Sequence, residues 1–361
     1  FSALIEAGGE VETESYLEMA LMSQDARDFE SADRLFEAHI TRLPQTDRVP
    51  FTDIEHVASK ADLAVLASVP EGERDEMRRR YWARQDPAPL SSANERLLEH
   101  YRRVAYSRAE FSEGEDPFDE RGRAYVRMGR PDHVSRSGDI KAEDRGSVIN
   151  ARLNFVSRMR LGVEVVPGLP TYPVGGGVRW EYWVYADLSG GVELTFTSQF
   201  SDGKYRYADI PSIGSLASIN ELLSMHGDNV VAEAAVDASS IYRPDFADLP
   251  VDFYYYPASF RGEAGNTRLE VYYGLPADDI ARTGSEDGEL IVFDRAVALH
   301  DSVWNEVHRV TDKMVFRYPT EKQVADGAFI PGVMPVDLAP GDYWMSLQIR
   351  DRLSGKSQVY K

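Results

Sequence analysis

The sequence predicts an α+β multidomain protein with a helical N-terminus, a mixed middle domain and a C-terminal antiparallel β-sandwich. Apolar residues recur at helical spacing through residues 1–110, which indicates helices. After residue 120, aromatic and β-branched runs alternate with Gly, Pro and Asp turns, which is typical of antiparallel strands. The 361 residues are enough for two or three domains. We expect domains at residues 1–50, 51–165 and 166–361.

Two amphipathic segments predict the first helices. One face of the first segment carries Tyr16, Met19, Ala20 and Ser23, and one face of the second carries Ala32, Phe36 and His39. The second segment ends before Pro44. A small residue in the first helix, Ala-x3-Phe in the second and a closing proline are similar to a tetratricopeptide repeat. A single repeat leaves an apolar face uncovered, so residues 1–50 are expected to contact a neighbour.

The next segment, residues 52–87, predicts two further helices. Thr52 or Asp53 is the expected N-cap, with Glu55 completing a capping box, and Pro70 separates the two helices. Acidic residues crowd the start of the second helix, and the arginines at 78–80 follow towards its C-terminal end. Acidic residues at the start of a helix and basic residues at its end both interact favourably with the helix dipole. We therefore interpret the arginine cluster as structural. Another helix is expected over residues 93–111.

Strands are expected beyond this point. The stretch "RAYVRMGRPD", Arg123–Asp132, predicts a short strand and a turn, and "RWEYWVYADLSGGVELTFTS", Arg179–Ser198, predicts a hairpin around Ser189–Gly191. One helix is expected within Ile213–Ala235. Later alternating runs favour an immunoglobulin-like sandwich. These runs begin at Val251, Arg268, Leu290, Lys313, Asp342 and Ser357.

Charge and composition exclude several classes of partner. The formal net charge of −20 disfavours nucleic acid and anionic lipid. Without cysteine the chain has no disulfide or thiolate site. Runs of 18 apolar residues are absent, so we expect no membrane span in this chain. Because the sequence starts at Phe1, a signal peptide or anchor upstream is compatible with it.

Motifs for catalysis are missing from the sequence. There is no Gly-x-Ser-x-Gly elbow, no His-x-x-x-His pair and no phosphate-binding loop, and the seven histidines are scattered. We therefore expect no enzyme, no cofactor and no metal. The acidic loop Ser112–Gly122 is either solvated or a calcium site, although its spacing is not that of an EF-hand. The glycine-rich "GGGVRW", Gly175–Trp180, is expected to lead into a strand.

Adjacent tyrosines mark a candidate interaction surface. The residues are Tyr254, Tyr255, Tyr256, Tyr272 and Tyr273. Consecutive residues of a strand point to opposite faces, so these five cannot all enter one core. Packing against another domain is the favoured explanation, and binding of proteins or sugars is the alternative.

The stretch "YWARQDPAP" and the helix and loop that follow it resemble the GWxTD-domain proteins of bacteria. Over residues 75–185, the matching positions are Trp82, Asp86, Pro87, Pro89, Tyr101, Val104, Tyr106, Phe111, Arg121, Gly122, Gly129, Pro131 and Asp132. Gln85 stands where the family has Arg, and Arg84 lies one step early. The name-giving motif is replaced by "DPFDE", Asp116–Glu120.

The resemblance implies a structural junction rather than an active site. Its members would be Trp82, Arg84, Asp86, Pro87, Arg121 and Gly122. We expect Trp82 to be buried, Arg84 and Asp86 to pair near a helix end, and the prolines to set the turn.

The expected function is a non-enzymatic protein of the bacterial envelope, periplasmic or extracellular, that binds other proteins. It would be an accessory subunit of a larger complex, such as a membrane electron-transfer or photosynthetic assembly, or part of a surface assembly. The alternative is a carbohydrate-binding or carbohydrate-processing protein. A carboxylate pair about 5–9 Å apart in an aromatic cleft would favour that alternative.

Overall fold

The structure, a computed structural model, is a mixed α+β protein. It describes residues 10–112, 116–172, 174–199, 202–210, 224–234, 242, 244, 250–285, 288–318 and 328–361. Its helices are α1 (Glu10–Asp25), α2 (Phe29–Arg42), α3 (Gln45–Thr52), α4 (Lys60–Ser68), α5 (Arg74–Gln85), α6 (Glu95–Phe111), α7 (Glu120–Met128), α8 (Gly146–Arg158) and α9 (Gly227–Ala234). Across the described ranges, no helix is both long enough and apolar enough to cross a membrane.

The strands form three antiparallel sheets. They are β1 (His133–Arg136), β2 (Arg179–Tyr185), β3 (Val192–Ser198), β4 (Arg206–Tyr207), β5 (Tyr254–Arg261), β6 (Thr267–Pro276), β7 (Thr283–Ser285), β8 (Gly288–His300), β9 (Glu306–Tyr318), β10 (Phe329–Leu338), β11 (Trp344–Asp351) and β12 (Ser357–Tyr360). The sheet orders are β1-β2-β3-β4, β10-β6-β5 and β12-β11-β8-β7, with β9 on the other edge of β8.

Two compact units make up the chain. Unit 1 comprises Phe1–Met22, Arg34–Arg74 and Glu99–Arg243, and unit 2 comprises Ser23–Asp33, Asp75–Leu98 and Pro244–Lys361. The predicted domain boundaries after residues 50 and 165 stay predictions.

Unit 1 holds the four-stranded sheet with helices α8 and α9 against it. All seven residues of β3 are buried, because neighbouring elements cover both of its faces. The predicted hairpin is confirmed: β2 and β3 are joined through Ser189–Gly191, whose residues all have positive φ. The helix expected within Ile213–Ala235 is α9, and residues 213–223 lie outside the described residues.

Unit 2 holds the other two sheets, which share one apolar core. Val271 and Tyr273 of β6 and Met334 of β10 belong to the same buried cluster as Phe293 of β8 and Ile349 of β11. Side chains of alternate residues point to the same face of a strand, so one face of each sheet supplies this core. The opposite faces are left for other contacts.

The predicted strand within Arg123–Asp132 is wrong, because this segment begins with helix α7. The Asp119 side chain accepts a hydrogen bond from the Arg121 N–H and caps the helix. Gly129, with φ of 79°, ends it and donates its N–H to the Tyr125 carbonyl. These two end signals outweigh the strand preference of the Tyr-Val pair.

The expected N-cap at Thr52 or Asp53 is also wrong. Thr52 ends α3, and Asp53 instead accepts a bond from the Glu55 N–H in a local turn. The cap of α4 is Ser59, whose hydroxyl accepts from the Asp62 N–H at 3.1 Å. Ser59 and Asp62, three residues apart, form the cap that the sequence pattern placed six or seven residues too early.

Candidate interaction surface and structural junction

The outer face of sheet β10-β6-β5 is rich in exposed aromatic side chains. We call this set the aromatic face, and its members are Tyr254, Tyr256, Phe260, Tyr272, Phe329 and Val333. Tyr254 and Tyr256 are the most open, at 70% and 69% exposure. Soluble proteins rarely leave a contiguous apolar patch uncovered unless it has a partner.

Strand register assembles this face. Tyr256 lies opposite Tyr272, which in turn lies opposite Val333, so the three form one row across the sheet. In the neighbouring row Tyr254 lies opposite Gly274, which has no side chain. The Tyr254 ring there meets the ring of Phe329, which lies opposite Pro276, edge to face at 5.5 Å. Alternation along each strand therefore brings distant residues of the chain into one surface.

Proline protects both edges of this sheet. Pro257 lies within edge strand β5, and Pro331 and Pro335 lie within edge strand β10. A proline has no N–H to offer to an added strand, so prolines on an edge oppose edge-to-edge pairing. A partner is therefore expected to meet the face of this sheet.

The five predicted tyrosines divide between the two sides of the sheet. Tyr254, Tyr256 and Tyr272 are exposed rather than covered. Tyr273 is buried, and its hydroxyl accepts a hydrogen bond from Arg295 at 2.9 Å. Tyr255, on the opposite side from Tyr254 and Tyr256, is 38% exposed and packs against Tyr360 with ring centroids 4.9 Å apart.

The hydroxyl of Tyr272 has a charged neighbour on the aromatic face. It donates a hydrogen bond to the Glu270 carboxylate, which raises the pKa of Tyr272. The same bond, together with one from Arg268, lowers the pKa of Glu270. Tyr272 thus stays neutral and presents a hydrophobic ring with a polar tip, as interface tyrosines do.

The predicted junction around Trp82 lies in unit 2. Trp82 is buried, as expected, and the guanidinium of Arg96 lies over its ring at 5.6 Å. The Asn94 amide donates to the Trp82 carbonyl at 2.6 Å. Arg84 is exposed on α5, with its guanidinium 5.6 Å from the Tyr81 ring.

The segment after α5 packs on the five-stranded sheet through Arg309 of β9. This guanidinium donates to the Pro89 and Ser91 carbonyls and lies 3.5 Å from the Asp86 carboxylate. Gln348 of β11 accepts the Leu90 N–H at 3.0 Å. Pro87, half-buried, starts the turn that makes these contacts. Asp86 thus pairs with a strand residue of the sheet.

Arg121 and Gly122 belong to unit 1, so they are not part of the Trp82 cluster. The guanidinium of Arg121 bonds Asp119 at 2.8 Å and Glu181 at 3.2 Å, and it lies 3.8 Å from the Tyr205 ring centroid. A Cβ added at Gly122 would lie 2.4 Å from the Phe118 Cβ. Only glycine fits there, which explains this position without a catalytic role.

A second buried ion cluster in unit 1 had no signal in the sequence analysis. Arg152 of α8 bonds Glu193 of β3 at 2.8 Å and also pairs with Glu143. The Tyr182 hydroxyl donates to Glu143 at 2.6 Å, and the Thr171 hydroxyl donates to Glu193 at 2.7 Å. Burial opposes ionisation of Glu143, but the bonds from Tyr182 and Arg152 outweigh it and lower the pKa. Each buried charge is paired with an opposite charge or accepts a hydrogen bond from a hydroxyl group, which is typical of a structural ion cluster.

The acidic loop shows structural roles for the residues that can be placed. Asp119 caps α7, Asp116 pairs with Lys204 and Glu120 accepts the Tyr207 N–H. Glu113 and Glu115 lie outside the described residues. Within the described ranges, no group of three or more His, Asp or Glu side chains is placed to hold a metal ion.

Sequence reasoning missed half of the aromatic face. Phe329 and Val333 lie on β10, whose two prolines and Gly332 obscured its alternation of exposed and buried residues. Phe260 lies in a recognised strand, and its parity with Tyr254 and Tyr256 would have identified it.

Comparison with known proteins adds little to these observations. No protein-family model matches the chain, and no curated protein matches it. Nine chains of solved structures match it. One is the crystal structure of MHC-like MILL2, with 11% identity over 51% of this chain and 66% of that chain, at a TM-score of 0.18. This chain spans slightly less than two thirds of that protein, and so low a TM-score bears on neither fold nor function.

Proposed function

We propose that this protein is a non-enzymatic interaction protein of the bacterial envelope that docks on a larger assembly through the aromatic face. The observation that carries the proposal is the exposure of six apolar side chains on one sheet face. Tyrosine is enriched at protein interfaces because its ring offers large contact area while its hydroxyl tolerates water. A tyrosine side chain also loses few rotamers when it binds.

The proposed partner is a protein rather than a nucleic acid or a lipid surface. The net charge of −20 repels polyanions over long range, whereas it favours neutral or basic protein surfaces. Prolines on both edges of the sheet support docking onto its face. An accessory subunit of a membrane electron-transfer or photosynthetic complex, or a surface assembly, fits this description.

Finer assignments of the fold belong to the same proposal. Burial of Ala20, Ala32 and Phe36 supports a tetratricopeptide-like helix pair at the N-terminus. The shared core of two antiparallel sheets supports an immunoglobulin-like sandwich. The buried Trp82 and Arg121 support a GWxTD-like middle domain, and periplasmic or extracellular location follows from that resemblance alone.

The test compares Tyr256→Lys with wild type in the native envelope. Tagged protein is recovered after gentle solubilisation, and the bound components are quantified by mass spectrometry and by size-exclusion with light scattering. Placing a lysine at the centre of the face should lower recovery of the specific partner about tenfold or more, as loss of a hot-spot residue does.

Val65→Lys is the matched control. Val65 is an exposed apolar residue on α4 of unit 1, so this variant adds the same charge away from the face. It should keep the partner. The proposal fails if the native protein is strictly monomeric, or if both variants lose the partner equally.

A further inference from the structure

The loop between β8 and β9 contributes Trp304 to an aromatic stack at one end of the five-stranded sheet. The Asp301 carboxylate accepts hydrogen bonds from the N–H groups of Val303 and Asn305, both at 2.9 Å, and from the Asn305 amide at 2.9 Å. The Trp304 N–H bonds the Asp301 carbonyl at 3.0 Å. One side chain therefore organises the whole five-residue loop.

The stack consists of His300, Trp304 and Trp344. The two indole rings are nearly parallel, at 12°, with centroids 5.2 Å apart. His300 lies against Trp304 at 5.7 Å. Trp344 is 55% exposed although it stacks on Trp304, so it presents an indole face to solvent.

Two local features of this stack are energetically unfavourable. Trp304 has φ of 66°, a left-handed conformation that is unfavourable for a bulky side chain. The Nδ1 atom of His300 is buried and has no hydrogen-bond partner among the described residues. Strained backbone and unsatisfied polar atoms persist preferentially at functional sites.

Two acidic side chains near the stack are already engaged within the protein. Glu306 pairs with Arg309 at 2.7 Å, and Asp301 is occupied by its own loop. A charged ligand would therefore gain little here, and the net charge of −20 further disfavours anions. A lone indole face is also much smaller than the roughly 800 Å² that each partner buries in a stable protein interface.

We propose that Trp344, supported by Trp304, is a binding platform for an uncharged saccharide ring. A pyranose combines a flat face of C–H groups with hydroxyls at its edge. The C–H groups suit the electron-rich face of the indole. The hydroxyls can bond to exposed polar side chains such as Ser302 and Asp342, each two residues before a tryptophan of the stack in the sequence. This site is separate from the aromatic face and does not rest on the proposed function.

The experiment titrates the full chain with three uncharged probes, namely cellohexaose, chitohexaose and maltohexaose. Tryptophan fluorescence and calorimetry should show saturable binding of at least one probe, with a dissociation constant of about 1 mM or tighter. Trp344→Ala should weaken binding about tenfold or more, and Trp304→Ala should weaken it because the supporting ring is lost.

Val65→Lys, on α4 of unit 1, is the control, and it should leave saccharide binding unchanged. A thermal melt of Trp344→Ala verifies folding. Absence of saturable binding for all three probes, or equal binding by wild type and folded Trp344→Ala, overturns the saccharide site. Loss of a protein partner from Trp344→Ala, with no saccharide bound by wild type, would assign the platform to a protein interface instead.

Discussion

At the scale of single residues, burial and neighbouring positive charges have opposite effects on the pKa of Asp86 in the junction. Burial raises the pKa of Asp86 from 3.8 to about 6, against the opposing pull of the Ala88 N–H, Arg309 and Lys361. Arg309 attracts it only weakly, because the same guanidinium also bonds Glu306 and two backbone carbonyls. The turn that begins at Pro87 therefore contacts the sheet through a carboxyl group that binds its proton more tightly than a free aspartate does.

Asp86→Asn should change how stability depends on pH. A raised pKa in the folded state means that the folded protein binds the proton more tightly than the unfolded chain. The free energy of unfolding that this tighter binding contributes is fully present below pH of about 4 and is lost as pH rises to about 6. It amounts to about 3 kcal/mol. The asparagine variant lacks it.

Urea unfolding of both proteins between pH 4 and pH 7 measures this effect. Relative to the variant, wild type should lose stability as pH rises through this window and then stay level. Parallel curves for the two proteins would contradict the raised pKa of Asp86.

At the scale of secondary-structure elements, α8 is attached to β3 through a fully buried charge. Arg152 bonds Glu193, and both side chains are 0% exposed. Removing one member leaves an unpaired charge in a fully buried site, which costs more than the pair contributes. The helix and the strand therefore depend on one another through this contact.

Arg152→Met should lower the free energy of unfolding by about 3–5 kcal/mol, because Glu193 and Glu143 lose their cation. The double variant Arg152→Met/Glu193→Gln should lose less, since it removes the stranded charge. Arg158→Met on the same helix is the control. Its guanidinium bonds the carbonyls of Ser189 and Gly191 at the surface, so the expected loss is about 1 kcal/mol.

Urea melts of wild type, Arg152→Met, Glu193→Gln, the double variant and the Arg158→Met control form the measurement. The first four proteins make a double-mutant cycle that gives the coupling between Arg152 and Glu193. If the losses of the two single changes simply add in the double variant, the pair is not the contact that holds α8 to β3.

At the scale of the whole molecule, charge determines which partners can approach. The net charge is −20, and the basic stretch of α5 is compensated within its own helix. Arg78 pairs with Asp75 at 2.9 Å, Arg80 pairs with Glu76 at 2.9 Å, and Arg79 also pairs with Glu76. No cationic surface results from this cluster of arginines.

We therefore expect no binding to duplex DNA or RNA at physiological salt. Fluorescence anisotropy with a labelled duplex of about 20 base pairs should give a dissociation constant weaker than about 100 μM. Micromolar affinity that falls steeply with salt would reveal a basic surface and contradict this expectation.

The sequence by itself determined the mixed fold, the hairpin around Ser189–Gly191 and the necessity that adjacent tyrosines face opposite sides of a strand. These features depend on local periodicity, turn residues and total charge, which can be read along the chain. Only the tertiary structure decided which tyrosines stay exposed, that α7 is a helix, and that Trp304 meets Trp344. The physical reason is that strand register and side-chain packing join residues far apart in sequence, and local preferences do not encode those pairings.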